Sequence, residues 1–304
     1  MIPKVPPDQI IIRPPVEGAS MSVLIPVTGG CSWNRCKFCG TYKGMYGIEQ
    51  DYAIRRLEDV KKDIDYYADN NYHGFPVFLA GGNPTSAPTD YLVEIIKYVR
   101  FKLRNVPRIS CYAKALDILR KSDEELNQLA KIGLDIVYMG LESGSSKILR
   151  LMKKGTNAES MIKAGKKILN AGIKLSLYVI LGLGGKKYSE EHVKETARVL
   201  SEINPTILRF RTLNIVPYSE LWDEWKNGNF ELLKPVENLI EEREIIAKLG
   251  ENVTSQMFND HMSNYIDIET DNIKVDRNNI IKVLDSLINN PKIQHLPRRN
   301  LTRM

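Results

Sequence analysis

The chain has 304 residues, 43% of them hydrophobic and 26% charged, with a formal net charge of +6. Such mild basicity permits an anionic substrate but falls well short of a dedicated nucleic-acid binder. No apolar run approaches the about 18–20 residues that cross a bilayer, the proline-rich start lacks the apolar core of a signal peptide, and four cysteines do not make a disulfide scaffold in a chain this long.

These exclusions point to a cytoplasmic protein with one large α/β domain or two small ones. Residues 1–20 read as an extended arm, because Pro3, Pro6, Pro7, Pro14 and Pro15 forbid regular helix. From residue 21 a rhythm begins. Apolar runs at 21–27, 75–80, 108–113, 135–141, 174–181 and 206–216 read as six strands. Helical periodicity fills the intervals: 51–70, 89–103, 123–132 with Ser122 as N-cap, the pair 145–152 and 157–170 closed by Gly172, and 190–202. Strands alternating with helices argue for βαβ units, a parallel sheet and right-handed crossovers. The expected fold class is α/β: a partial (β/α)6 barrel over 21–216 with an α+β extension over 217–304 that closes it. In the extension, helices are expected near 219–230, 236–249 and 277–288, and a strand near 254–261, ahead of a basic tail.

Three of the four cysteines lie in the loop after the first strand, spaced C-x4-C-x2-C: Cys31, Cys36 and Cys39. Three thiolates are one ligand short of a closed zinc site, and neither His73 nor Cys111 has knuckle spacing to supply a fourth. They suffice for a [4Fe–4S] cluster with one open iron. Ligands in parallel βα folds gather at the carboxyl ends of the strands. Gly81-Gly82-Asn83-Pro84 follows the second strand, Glu142-Ser143-Gly144 the fourth and Gly182-Leu183-Gly184-Gly185 the fifth, so four unusual loops share one rim.

On these residues the chain resembles the radical S-adenosylmethionine (SAM) enzymes, over roughly residues 20–216. The cysteine loop carries the resemblance, with Phe38 before the third cysteine; the family's usual spacing is one residue shorter between the first pair. The resemblance implies that Cys31, Cys36 and Cys39 hold the cluster and that its open iron chelates SAM. It implies that the backbone of Gly81, Gly82 and Asn83 meets the SAM amino group, Asn83 standing where the family's turn carries a glutamate. Glu142 would bind the ribose, Lys154 would face the carboxylate and Ile180 would line the adenine. The loop order is most similar to the branch holding oxygen-independent coproporphyrinogen oxidase, the tRNA methylthiotransferases and the elongator catalytic subunit. The implied chemistry is reductive cleavage of SAM to methionine and a 5′-deoxyadenosyl radical that abstracts hydrogen from a substrate. A reductant such as flavodoxin or ferredoxin would supply the electron.

Other residues carry a sharp and a bland reading side by side. Arg209 and Arg211 share one face of the sixth strand; either meets an anion, from SAM or from a substrate, or pairs with a buried carboxylate. Within the polar run 259–264, His261 is the histidine whose ordinary pKa suits acid–base work; the run otherwise holds a loop by hydrogen bonds. Cys111, inside the third strand, is a candidate catalytic thiol if it faces the barrel interior and a small hydrophobe otherwise. His73, His192 and His295 read as surface or loop residues. The expectation is a single-cluster radical SAM enzyme with a small anionic substrate. The alternatives are modification of a tRNA or other macromolecule and, outside enzymology, an iron–sulfur electron carrier or scaffold.

Overall fold

The structure, a computed structural model, describes residues 22–44, 49–294 and 296. The expected N-terminal arm, His295 and the tail arginines at 298, 299 and 303 lie outside these residues. In chain order the strands are β1 (Val23–Pro26), β2 (Thr28–Gly29), β3 (Ala53–Ile54), β4 (Val77–Ala80), β5 (Ile109–Ala113), β6 (Ile136–Glu142), β7 (Lys174–Leu181), β8 (Ile207–Thr212), β9 (Gln256–Phe258) and β10 (Glu269–Thr270). The helices are α1 (Leu57–Asp69), α2 (Thr89–Lys102), α3 (Ala115–Arg120), α4 (Asp123–Ile132), α5 (Ser146–Leu151), α6 (Ala158–Asn170), α7 (Ser189–Ile203), α8 (Glu220–Lys226), α9 (Pro235–Lys248), α10 (Ile273–Ile288) and α11 (Pro291–Gln294). The main sheet has eight strands in the order β1-β4-β5-β6-β7-β8-β9-β10 and is mostly parallel. All six strands expected from the sequence are present, and the fold class is the expected α/β. Among the described residues no helix is long and apolar enough to cross a membrane.

The chain divides into two compact units, residues 1–34, 41–139 and 166–175 forming one and residues 35–40, 140–165 and 176–304 the other. In the first, β1, β4 and β5 pair in parallel, with Val23 opposite Val77 and Leu79 opposite Cys111. Their apolar runs are buried on both faces, as parallel strands covered by helices require. Ser122 and Glu125 form a reciprocal capping box on α4, which Gly133 ends in the left-handed conformation.

The sequence places a helix start at residue 51; the structure starts α1 at Leu57. Residues 53–54 instead pair antiparallel with β2 as a short ribbon. Arg55 explains the delay. Its backbone N–H donates to Val27 O (3.0 Å), its Nη1 donates to Pro26 O (2.7 Å), and it ion-pairs with Asp63. On the same strand, Tyr67 Oη donates to Leu24 O (3.0 Å).

In the second unit, β7 and β8 are parallel, with Tyr178 opposite Arg209 and Ile180 opposite Arg211. The segment expected as a strand near 254–261 is β9, which extends the sheet in parallel beside β8; the two-residue β10 then pairs with it antiparallel. Helix α7 packs on α9, and α9 on α10. Apolar side chains Ile148, Met152, Leu183, Ile215 and Leu221 form a buried cluster, and Phe38 packs against it.

Candidate functional site

That apolar cluster places the later half of the cysteine loop. Lys37 N donates to Met152 O (3.0 Å), Leu221 N donates to Lys37 O (2.9 Å), and the Lys37 ammonium pairs with Glu224. Phe38 and Lys37 are thus fixed by packing and backbone bonds, so Cys36 and Cys39 flank a rigid pair of residues. Lys154 Nζ donates to Glu142 Oε1 (2.6 Å) and lies 5.9 Å from the Phe38 ring centre. Burial alone would lower the Lys154 ammonium; the Glu142 carboxylate, then the Cys36 and Cys39 sulfurs, outweigh it and hold it above its ordinary value. Glu142 reaches this position from a left-handed backbone (φ 61°), a strained conformation for a side chain of its size. Gly140 makes room: a Cβ there would overlap Glu142 Oε1 and stand 2.8 Å from Lys154 Nζ. Glu142 and Lys154 therefore form an ion pair in the neighbourhood of Cys36 and Cys39, so four of the residues singled out in the sequence come together here.

In the first unit, Gly82 N donates to Gly30 O (3.0 Å) and Ser32 N donates to Asn83 Oδ1 (3.0 Å). The approach is close enough that a Cβ at Gly82 would overlap Gly30 O and lie 2.7 Å from Cys31 Cα. Gly81, Gly82, Asn83 and Cys31 are thus brought together. Asn83 is fully buried, and its amide also donates to Ser32 Oγ (2.9 Å) and Asp117 Oδ2 (2.6 Å).

No disulfide joins any of the four cysteines, and Cys31, Cys36 and Cys39 are half-buried. No three His, Cys, Asp or Glu side chains among the described residues already stand as a metal-binding group. The fit to an iron–sulfur cluster is therefore one of donor chemistry: three thiols within nine residues of chain, beside glycines that leave the backbone bare. Cys111 is separate. It sits on the face of β5 opposite to Tyr112, is 1% exposed, and burial pushes its thiol up to about 12 against the pull of Lys121. A thiol that stays protonated packs as a small hydrophobe.

Ile180, Arg211 and His261 gather in the second unit. The Arg211 guanidinium lies 4.4 Å from the Tyr178 ring centre and Arg209 5.3 Å from that of Phe258. Arg209 is buried and donates to Asp260 Oδ1 (2.7 Å), whereas Arg211 is half-buried and, among the described residues, has no hydrogen bond or ion pair. His261 Nδ1 stands 2.7 Å from Ser263 Oγ. Burial, then Arg211 and Arg209, push its pKa down to about 4, so the ordinary value that drew attention to it in the sequence is not the one it has. The rest of the polar run holds the loop: Asn264 Nδ2 donates to Phe210 O and Asn259 O.

His192 corrects a sequence expectation. It is fully buried on α7, not at the surface, and its Nδ1 stands 2.9 Å from Ser143 Oγ. Its Nε2 has no hydrogen-bond partner among the described residues and lies 3.9 Å from Glu241 Oε2. Glu241 accepts from Gly182 N (2.6 Å) and Ser189 Oγ (2.7 Å), so Ser143, His192 and Glu241 join the loop after β6 to the loop after β7. The neighbouring Glu242, also buried, accepts from Asn259 Nδ2 (2.6 Å). The signal was present in the sequence. His192 heads the stripe Val193, Thr196, Ala197, Val199, Leu200, and the two glutamates share one with Asn238 and Ile245.

These buried groups set a pH dependence. Burial raises Glu241 to about 7 and Glu242 to about 8 from an ordinary 4.5, and lowers His192 to about 4 from 6.5. The glutamates' stabilisation is complete below 4.5 and is lost as pH rises through about 7 and 8. The stabilisation from His192 and His261 is complete above 6.5 and is lost as pH falls through about 4. Between 4.5 and 6.5 the folded chain holds two extra protons on glutamates and lacks two on histidines, so the terms cancel. Stability is therefore expected to be level from about pH 5 to 6.5 and to fall toward about pH 8.5, with Glu242→Gln removing about three quarters of that fall, because Glu242 keeps its proton about one pH unit further than Glu241. Urea midpoints across that range measure it; a wild-type midpoint that stays level throughout would refute it.

Residues 25–200 match the family described as the Radical SAM superfamily. A relative from Methanocaldococcus jannaschii, described as "Uncharacterized protein MJ0486", is 27% identical over 232 residues, 74% of this chain and 70% of its own length. The tRNA uridine(34) acetyltransferase of Methanocaldococcus infernus is 27% identical over 110 residues, 36% of this chain and 21% of its own length. Among solved structures, coproporphyrinogen III oxidase (HemN) from Escherichia coli, described as a radical SAM enzyme, superimposes with a TM-score of 0.54 at 19% identity. It covers 75% of this chain and 52% of its own. That likeness is one of fold. The chain thus spans most of the first relative but only a fifth of the acetyltransferase and about half of the oxidase.

Proposed function

Because the chain belongs to the radical SAM superfamily, whose enzymes use a [4Fe–4S] cluster and SAM, we propose that Cys31, Cys36 and Cys39 hold the cluster and that the enzyme acts on a small anionic substrate. The bound group supplies the hard chemistry, reductive cleavage of SAM and hydrogen abstraction by the 5′-deoxyadenosyl radical. This chain's residues bind and orient. Gly81, Gly82 and Asn83 present bare backbone to the SAM amino group. Glu142 takes the ribose hydroxyls, Lys154 the carboxylate, and Ile180 an apolar face of the adenine. The electron comes from a reductant of the flavodoxin or ferredoxin kind.

The observation that carries this reading is the Lys154 ammonium, bonded to Glu142 and within the field of Cys36 and Cys39. It gives the thiol loop a cation and a ribose-type acceptor in one place. An electron carrier needs neither, and the family match sets that alternative aside. The experiment is anaerobic reconstitution with iron and sulfide, then reduction in the presence of SAM. Release of 5′-deoxyadenosine is expected; its absence from a fully loaded protein sinks the reading.

The anionic substrate rests on Arg211, a half-buried guanidinium steadied by Tyr178 and left without a carboxylate among the described residues. In Arg211→Met, SAM affinity is expected to stay within about threefold of wild type, whereas a loss of about tenfold or more, the scale of a lost charged hydrogen bond, would reassign Arg211 to SAM. Equilibrium dialysis with labelled SAM reads the difference.

A macromolecular substrate is the second reading, favoured by the likeness to a tRNA uridine(34) acetyltransferase over 110 residues. Binding of tRNA that survives moderate salt would support it.

A further inference from the structure

The Asn83 amide can face only one way. Its Oδ1 accepts from Ser32 N (3.0 Å), and its Nδ2 donates to Asp117 Oδ2 (2.6 Å) and Ser32 Oγ (2.9 Å). Turned over, it would set an NH2 against an N–H and a carbonyl oxygen against a carboxylate. In a fully buried side chain neither mismatch is relieved by water. The group that forbids the turn is Asp117, in the first turn of α3 and 3% exposed.

The remaining contacts close a ring. Lys114 Nζ lies 3.8 Å from Asp117 Oδ1 and donates to Ser32 Oγ (2.5 Å). Asp117, Asn83, Ser32 and Lys114 thus form one circuit, with the carboxylate balanced by the ammonium. Ser32 makes three of the circuit's bonds, its Oγ accepting two and its backbone N–H donating one, and it follows Cys31 directly in the chain. The circuit therefore ends on the cysteine loop.

We propose that Asp117 is a positioning residue for the cysteine loop: it fixes the orientation of the Asn83 amide, and through that amide holds Ser32 and the adjacent Cys31. This rests on Cys31 being a cluster ligand. Groups behind metal ligands orient them, and their loss commonly costs metal affinity although they never touch the metal.

The test exchanges the two roles. Asn83→Asp keeps the acceptor for Ser32 N but sets one carboxylate against another. Asp117→Asn in the same chain restores a donor–acceptor pair, with the donor now at position 117. Asn83→Asp is expected to release iron to a chelator about tenfold or more faster than wild type, with the double variant returning to within about threefold. In the cluster-free full chain, deuterium uptake by the peptide carrying residues 29–40 should rise in Asn83→Asp and fall again in the double variant. Asp117→Ala, which adds no charge, should raise it too and keeps the test open if Asn83→Asp fails to fold. The proposal is overturned if Asn83→Asp holds iron and protects the loop like wild type, or if the double variant is no better than the single. A wild-type chain that takes up no cluster would instead refute the ligand reading, and the exchange measurement would still decide the role of Asp117.

Discussion

The Cys36→Ala protein, reconstituted anaerobically, is expected to fold normally and to hold no [4Fe–4S] cluster. Folding is spared because contacts of the neighbouring residues hold the loop in place. The Lys37 backbone is bonded to Met152 and Leu221, and Phe38 is packed against the Ile148 cluster. Half-buried as it is, Cys36 contributes little packing, and a stability change within about 1 kcal/mol is expected. The chemical loss is total, since two thiolates cannot retain a cluster that needs three. Iron and sulfide analysis, with the visible and electron-paramagnetic spectra, checks the first half, and 5′-deoxyadenosine release checks the second. A Cys36→Ala protein that keeps a full cluster would refute the ligand assignment. Cys111→Ala is the useful control: its thiol is buried and protonated, so it should cost stability, by roughly 1–2 kcal/mol, and leave the iron in place.

Lys154→Met is expected to destabilise the cluster-free chain by about 3 kcal/mol, more than removal of the whole pair. The two side chains are 19% and 11% exposed, so Glu142 left alone keeps a charge that solvent reaches only at its margin. It also keeps the left-handed backbone that brings it there, closed by the Ser143 N–H bond to Leu141 O (2.8 Å) but no longer steadied by a side-chain partner. Glu142→Gln together with Lys154→Met removes both charges, and about half or more of the loss should return, a non-additivity proper to groups in contact. Urea midpoints of wild type, Lys154→Met, Glu142→Gln and the double variant give the coupling directly. A Lys154→Met protein within about 1 kcal/mol of wild type would show that the pair is held open by solvent and carries little.

Much of this was legible in the sequence because the strands announce themselves. Each of the six apolar runs ends near a glycine or a polar turn, and burial on both faces leaves no room for another pattern. Placing the cysteine loop, the Gly81-Gly82 turn and Glu142 at strand ends needed no more than that. What stayed hidden depends on partners far away in the chain. Helix α3 is six residues long, too short to show a period. The start of α1 moved because residues 53–54 found a strand at 28–29 to pair with. Asn83 and Asp117 lie 34 positions apart, and nothing in either tetrapeptide says that one amide orients on the other. The burial of Glu241 and Glu242 showed in the sequence only as a stripe shared with Asn238 and Ile245, which the charged composition of the helix obscures until the packing of α9 on α7 and α10 is known. Arg209 and Arg211 were rightly placed on one face, but only Asp260, 51 residues beyond Arg209, separates the neutralised guanidinium from the open one.

The two ends of the sheet bear on how the protein behaves at high concentration. An end strand offers a row of unpaired backbone groups, and a second chain can add to it, which is how edge-to-edge aggregation begins. At one end, β1 is four residues long and closes with Pro26. Its Leu24 and Pro26 carbonyls are already taken by Tyr67 and Arg55. At the other end, β10 is two residues long and antiparallel, with an exposed Glu269. Among the described residues, neither end of the main sheet gives an incoming strand more than a few groups to grip, so in a crowded solution these two ends are poor templates for growing a larger sheet.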